Sequence, residues 1–308
     1  ALTKLLNANA KSITGVQESV DALVEAGTSR DEAIAAIAEQ QGLDTTALTK
    51  LLNANAKSIT GVQESVDALV EAGTSRDEAI AAIAEQQGLD TTALTKLLNA
   101  NAKSITGVQE SVDALVEAGT SRDEAIAAIA EQQGLDTTAL TKLLNANAKS
   151  ITGVQESVDA LVEAGTSRDE AIAAIAEQQG LDTTALTKLL NANAKSITGV
   201  QESVDALVEA GTSRDEAIAA IAEQQGLDTT ALTKLLNANA KSITGVQESV
   251  DALVEAGTSR DEAIAAIAEQ QGLDTTALTK LLNANAKSIT GVQESVDALV
   301  EAGTSRLR

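Results

Sequence analysis

Apolar residues recur along this chain at helical spacing and never in a strand's alternation. In the stretch Ala47–Thr92, Leu48, Leu51, Leu52, Ala56 and Ile59 fall at i, i+3, i+4, i+8 and i+11, one face of a helix. Val62, Val66, Leu69 and Val70 line a second apolar face, and Ile80, Ile83 and Ala84, with Ala79 beside them, a third. Val62 and Val66 are four apart rather than two, so no strand is expected. Polar residues punctuate the stretch. Asp44 or Thr45 can cap a first helix over 46–58, a short side-chain oxygen accepting an orphan backbone N–H. Thr60 and Gln63 make a T-x-x-Q capping box that would open a second helix, which Gly73 ends. Ser75 and Glu78 make an S-x-x-E box for a third, with Asp77 and Glu78 opposing the helix dipole. Gly88 followed by Leu89 offers a Schellman stop. Between the first two helices, Ser58-Ile59-Thr60-Gly61 has no clear C-terminal glycine.

The same 46 letters begin at Ala1, Ala47, Ala93, Ala139, Ala185, Ala231 and Ala277, with no substitution until Leu307. The repeats are 1–46, 47–92, 93–138, 139–184, 185–230, 231–276 and a partial 277–306. A period of this size points to an array in which units bury their apolar faces on one another. Helices of about 11 to 14 residues are marginal alone, so packing between copies must hold them. The expectation is an all-α single array over 1–308: an α-solenoid of three-helix repeats with about twenty helices, a regular superhelix because identical units impose an identical step. Leu307-Arg308 stands where Asp-Glu is expected and reads as an appended scar, and Ala1 as a processed start.

Composition narrows the chemistry. The chain has no Pro, Cys, Met, His, Phe, Tyr or Trp. Zinc and soft-metal sites need His or Cys, and a serine nucleophile needs a base, so no catalytic residue, metal or cofactor is expected and the chain is read as no enzyme. Aromatic platforms for single-stranded nucleic acid are missing too. A net charge of −23 repels phosphate and anionic lipid, and no apolar run approaches the roughly 20 residues that span a bilayer. The carboxylates Glu64, Asp67 and Glu71 share one helical face and read as a solvated surface rather than a calcium loop.

Letter-perfect copies give the whole chain a resemblance to idealised, designed or consensus-built α-helical tandem-repeat proteins, with a unit close in size to armadillo and HEAT repeats. It lacks the aromatic and proline landmarks those natural families often show. The resemblance implies a structural scaffold with no natural biochemical activity. In armadillo-like proteins an asparagine ladder holds an extended peptide, and Asn53, Asn55, Asn99, Asn101, Asn145 and Asn147 recur as such a ladder would. That leaves a peptide- or protein-binding solenoid as the alternative; in the plainer reading Asn55 fixes the register between copies. Locally, Ile83-Ala84-Glu85-Gln86-Gln87-Gly88-Leu89 followed by Leu94 and Leu97 is similar to a helix-turn-helix, except that Gln87 stands where an apolar residue is expected. Such a motif would make 91–101 a recognition helix, but it carries one cation and the charge has the wrong sign for DNA. The first copy opens with the same Leu2, Leu5 and Leu6 stripe as interior copies, so the expected partner is the chain itself, head to tail.

Overall fold

The computed structural model describes residues 2–305, without the side chains of 2, 295 and 298–305. The expectations for Ala1 and for Leu307-Arg308 lie outside the described residues. Among those described there are thirteen α-helices and no strand, long and short alternating. The long ones are α1 (Leu2–Glu25), α3 (Thr45–Glu71), α5 (Thr91–Glu117), α7 (Thr137–Glu163), α9 (Thr183–Glu209), α11 (Thr229–Glu255) and α13 (Thr275–Ser305). The short ones are α2 (Arg30–Gln41), α4 (Arg76–Gln87), α6 (Arg122–Gln132), α8 (Arg168–Gln178), α10 (Arg214–Gln224) and α12 (Arg260–Gln270).

Thirteen helices replace the expected twenty, because the first two helices of each repeat are one. The three-helix grouping, and with it the armadillo-like division of the unit, gives way to a pair of one long and one short helix. The Thr60–Gln63 capping box does not form. Thr60 Oγ1 instead accepts the Asn101 amide at 2.9 Å, and Gln63 Nε2 donates to Asp67 Oδ1 at 2.9 Å. Gly61 stays helical, outside the set of glycines with positive φ. A helical glycine costs about 1 kcal/mol relative to alanine. Continuity keeps Ile59 and Val66 on one buried side, and that outweighs it.

The other punctuation stands where it was expected. Asp44, rather than Thr45, is the N-cap of α3, its Oδ1 accepting from the Ala47 N–H at 2.7 Å. Ser75 caps α4 through the Glu78 N–H at 3.4 Å. At the end of α4, Gly88 has φ 66°, its N–H reaches the Glu85 carbonyl at 3.1 Å, and Leu89 N–H reaches the Ala84 carbonyl at 2.9 Å. That pair of bonds is the Schellman motif.

By its contacts the chain divides into two compact units, residues 1–153 with 172–189 and residues 154–171 with 190–308. In the first, Ile105, Val108 and Val112 of α5, Ala125, Ile126, Ile129 and Ala130 of α6, and Leu140, Leu143 and Leu144 of α7 form one buried cluster. In the second, Ile243, Val246 and Val250 of α11 gather with Ala263, Ile264, Ile267 and Ala268 of α12 and Leu278, Leu281 and Leu282 of α13. Each cluster crosses a repeat boundary. No cluster is completed within one repeat, so a single 46-residue copy is expected to be too little to fold.

Candidate functional site

The recurring asparagines lie along a seam between repeats. Asn99 Nδ2 donates to the Gln179 carbonyl at 2.6 Å, and Asn7 Nδ2 to the Gln87 carbonyl at 2.7 Å, each reaching one repeat forward. The other rung reaches back: Asn101 Nδ2 donates to Thr60 Oγ1 at 2.9 Å, Asn55 to Thr14 at 3.0 Å and Asn147 to Thr106 at 2.9 Å. Asn53 Nδ2 donates to the Gln133 carbonyl. Asn145 occupies the matching place on α7 and is half-buried. In the second unit, Asn191 donates to the Gln271 carbonyl and Asn239 to Thr198 at 2.9 Å.

Arginine spans further. Arg76 Nε donates to Gln179 Oε1 at 2.9 Å and Nη2 to Ser150 Oγ at 3.5 Å, both two repeats ahead. Its Nη1 is 3.3 Å from Asp67 Oδ1 in its own repeat. Arg30 does the same with Gln133 and Asp21, and in the second unit Arg168 with Gln271, Ser242 and Asp159. The glutamine at this position is therefore a node: Asn53 holds the Gln133 carbonyl and Arg30 its side chain, so three consecutive repeats meet there. Gln133, Gln179 and Gln271 are buried, whereas Gln41 and Gln87, with no arginine two repeats behind them, are exposed. Leu5, Leu51 and Leu97 show the same progression, at 68%, 41% and 8% exposure. Burial at this position is complete only where two repeats precede it.

The sequence offered two clues to this seam: the recurring asparagines, one reading of which was a register device, and Gln87, the residue that spoiled the helix-turn-helix likeness. The corner itself exists, with Gly88 between α4 and α5. Its would-be recognition face is occupied: Asn99 is bonded to Gln179, and Thr95 Cγ2 lies 3.0 Å from where a Cβ on Gly180 would be. Arg76 was not singled out, and Thr60 was read only as a local cap, because a pairing across 103 or 41 residues leaves no local periodicity.

A double-mutant cycle of Arg76→Met and Gln179→Leu should give a coupling of about 1–2 kcal/mol in urea unfolding, the range for a hydrogen bond to a charged group. The cycle of Arg76→Met with Gln133→Leu, whose arginine is Arg30, should give none.

Of the acidic face, Glu64 is exposed as expected, while Glu71 and Asp67 are paired. Glu71 meets Lys149 Nζ at 3.0 Å on the surface, where such a pair adds at most about 1 kcal/mol. Asp67 is mostly covered. Burial holds the carboxyl groups of Asp21 and Asp67 above their ordinary 3.8, outweighing the neighbouring Arg30 and Arg76 guanidiniums, the Gln17 and Gln63 amides, and Lys103 and Lys149 beyond them. The folded chain thus holds these protons more readily than the unfolded one. Between 3.8 and the raised folded values the native state binds more protons, so stability rises as pH falls through that window. Relief of the −23 charge acts in the same direction. We expect urea midpoints to rise on acidification from neutrality toward 3.8, and to rise less in the double variant Asp21→Asn/Asp67→Asn.

In the second unit a cavity of about 30 Å³ lies beside Gln155, Arg168, Asn191, Ser242 and Gln271, room for a water or two and no cofactor. Among the described residues no group of three or more acidic or soft ligands could hold a metal, and no helix is long and apolar enough to cross a membrane. Comparison with protein-family models, curated proteins and solved structures gives no match to this chain.

Proposed function

We propose that this chain is a structural scaffold, a designed or consensus-built repeat array of regular superhelical form. In this reading it is no enzyme, holds no cofactor or metal, and has no nucleic-acid partner. One observation carries the proposal: the polar groups of the seam are spent on bonds between repeats, at the same sequence offsets wherever they recur. A binding site built by selection would instead vary from copy to copy. The alternative, a solenoid that grips an extended peptide through its asparagines, needs amide donors facing a groove; those of Asn55, Asn99 and Asn101 are engaged within the array.

The test is a titration of labelled extended peptides, Lys/Arg-rich ones included to suit the −23 charge, read by fluorescence anisotropy. The scaffold reading expects no saturable binding at physiological salt. Saturable binding that Asn99→Ala abolishes would replace it with the peptide-binding reading, and a duplex shifted in a low-salt gel would replace it with the nucleic-acid one.

A further inference from the structure

Two apolar faces remain uncovered, and they are complementary. On α13, Ile289, Val292 and Val296 are 50%, 40% and 48% exposed, whereas the matching Ile243, Val246 and Val250 are at 5%, 7% and 0%. On α1, Leu5 and Leu6 are exposed, whereas the matching Leu281 and Leu282 are buried. Inside the second unit these two sets are partners, since Ile243, Val246 and Val250 share a cluster with Leu281 and Leu282. We propose that the α13 face binds the α1 face of a second copy of this chain, in the register of that interior interface. This rests on the scaffold reading, in which repeats recognise one another.

The polar groups around the two faces agree with that register. Thr290 is exposed, whereas its counterparts Thr60 and Thr198 are buried and accept an asparagine amide from the next repeat. The residue that would supply that amide from the second copy is Asn9, which is exposed on α1. Lys287 Nζ meets Glu209 at 2.9 Å two repeats back, and by the same offset Lys11 of the second copy would meet Glu255. Arg214 Nη2 donates to Ser288 Oγ at 3.1 Å, and the equivalent acceptor for Arg260 is Ser12 of the second copy. Arg260 and Asp251 are correspondingly bare: their pair is 57% and 52% exposed, against 25% and 12% for Arg214 and Asp205. Three polar contacts and one apolar contact thus ask for the same placement. The −23 charge opposes this joint, and salt relieves that repulsion.

Sedimentation velocity of the 308-residue chain, from low concentration to about 1 mM and from about 0.05 M to about 0.5 M NaCl, reads the joint directly. The expected result is a weight-average mass that climbs past two chains with concentration and salt. Leu5→Gln/Leu6→Gln, which blocks the α1 face, and Ile289→Gln/Val292→Gln, which blocks the α13 face, should each remain at one chain. All four positions are exposed and the substitutions leave the net charge unchanged, so folding is spared. An equimolar mixture of the two variants keeps one good face of each kind and should stop at two chains. A single-chain mass for the wild type in high salt would overturn the proposal. So would association that survives in either variant, the mark of like faces pairing. A monomer that is helical and unfolds cooperatively would end the docking and leave the scaffold reading untouched.

Discussion

Alanine in place of Gly61, Gly107, Gly153, Gly199 and Gly245 should raise the free energy of unfolding by about 1 kcal/mol at each position. All five glycines sit mid-helix, none with positive φ, and an added Cβ at any of them meets no atom within 4 Å. Alanine there removes backbone freedom from the unfolded chain and adds no clash. The result also bears on the number of helices. If Ser58-Ile59-Thr60-Gly61 were the junction of two helices, glycine would serve the turn and alanine would be neutral or harmful. Urea midpoints of the single variants and of the five-fold variant decide it. The contrasting control is Gly134→Ala. Gly134 has φ 63°, and a Cβ on it would lie 3.0 Å from Thr49 Cγ2 on the preceding repeat. Left-handed backbone costs a non-glycine residue about 1–2 kcal/mol even without the clash, so this variant should lose stability.

Those two glycine classes mark how far local pattern could be read. Gly73 and Gly88 follow the last apolar residue of a face and precede a Thr-Ser or Asp-Thr cap, so sequence placed them as stops, and they are. Ser75 and Asp44 were equally visible, since a cap acts within three residues of itself. Gly61 misled because Thr60 and Gln63 have the letters of a capping box while the side chains go elsewhere, to Asn101 and Asp67. Both competing partners beat the local bond: one lies in the next repeat, and the other continues the helix by one turn. The asparagines were legible as residues that propensity alone would not choose, and the structure supplies their use in the Gln179 carbonyl and the Thr60 hydroxyl. The arginine seam was not legible at all. Arg76 at the start of α4 looks like any solvated first-turn residue, and only folding brings Gln179 and Ser150 to it. What a periodic sequence hides is the offset at which its copies interlock, because every offset looks alike until the helices pack.

Leu140→Ala should be among the most damaging single truncations in the first unit. Leu140 is 2% exposed and belongs by sequence to the fourth repeat, yet it packs with Ile105, Val108 and Val112 of the third. Removing it costs the transfer energy of its methyl groups and leaves a cavity walled by α5 and α6, together about 2–5 kcal/mol. Leu5→Ala or Leu6→Ala, the same side chain at exposed positions of α1, should change stability by no more than about 0.5 kcal/mol. The location of the loss matters as much as its size. If cores lie across repeat boundaries, amide exchange in Leu140→Ala should accelerate in α5 and α6, which belong to the third repeat, as well as around the substituted helix. If each repeat folded around its own core, acceleration would stay within 139–184 and the third repeat would keep its protection. The arginine seam adds one more expectation. Arg76 of the second repeat is tied to Gln179 and Ser150 of the fourth, so loosening the fourth repeat should weaken the Asp67–Arg76 pair from a distance. Faster exchange near Arg76 in Leu140→Ala, absent when Gln179→Leu has already cut that tie, would show that strain passes between next-but-one repeats. In a nearest-neighbour array it would die out at the first boundary.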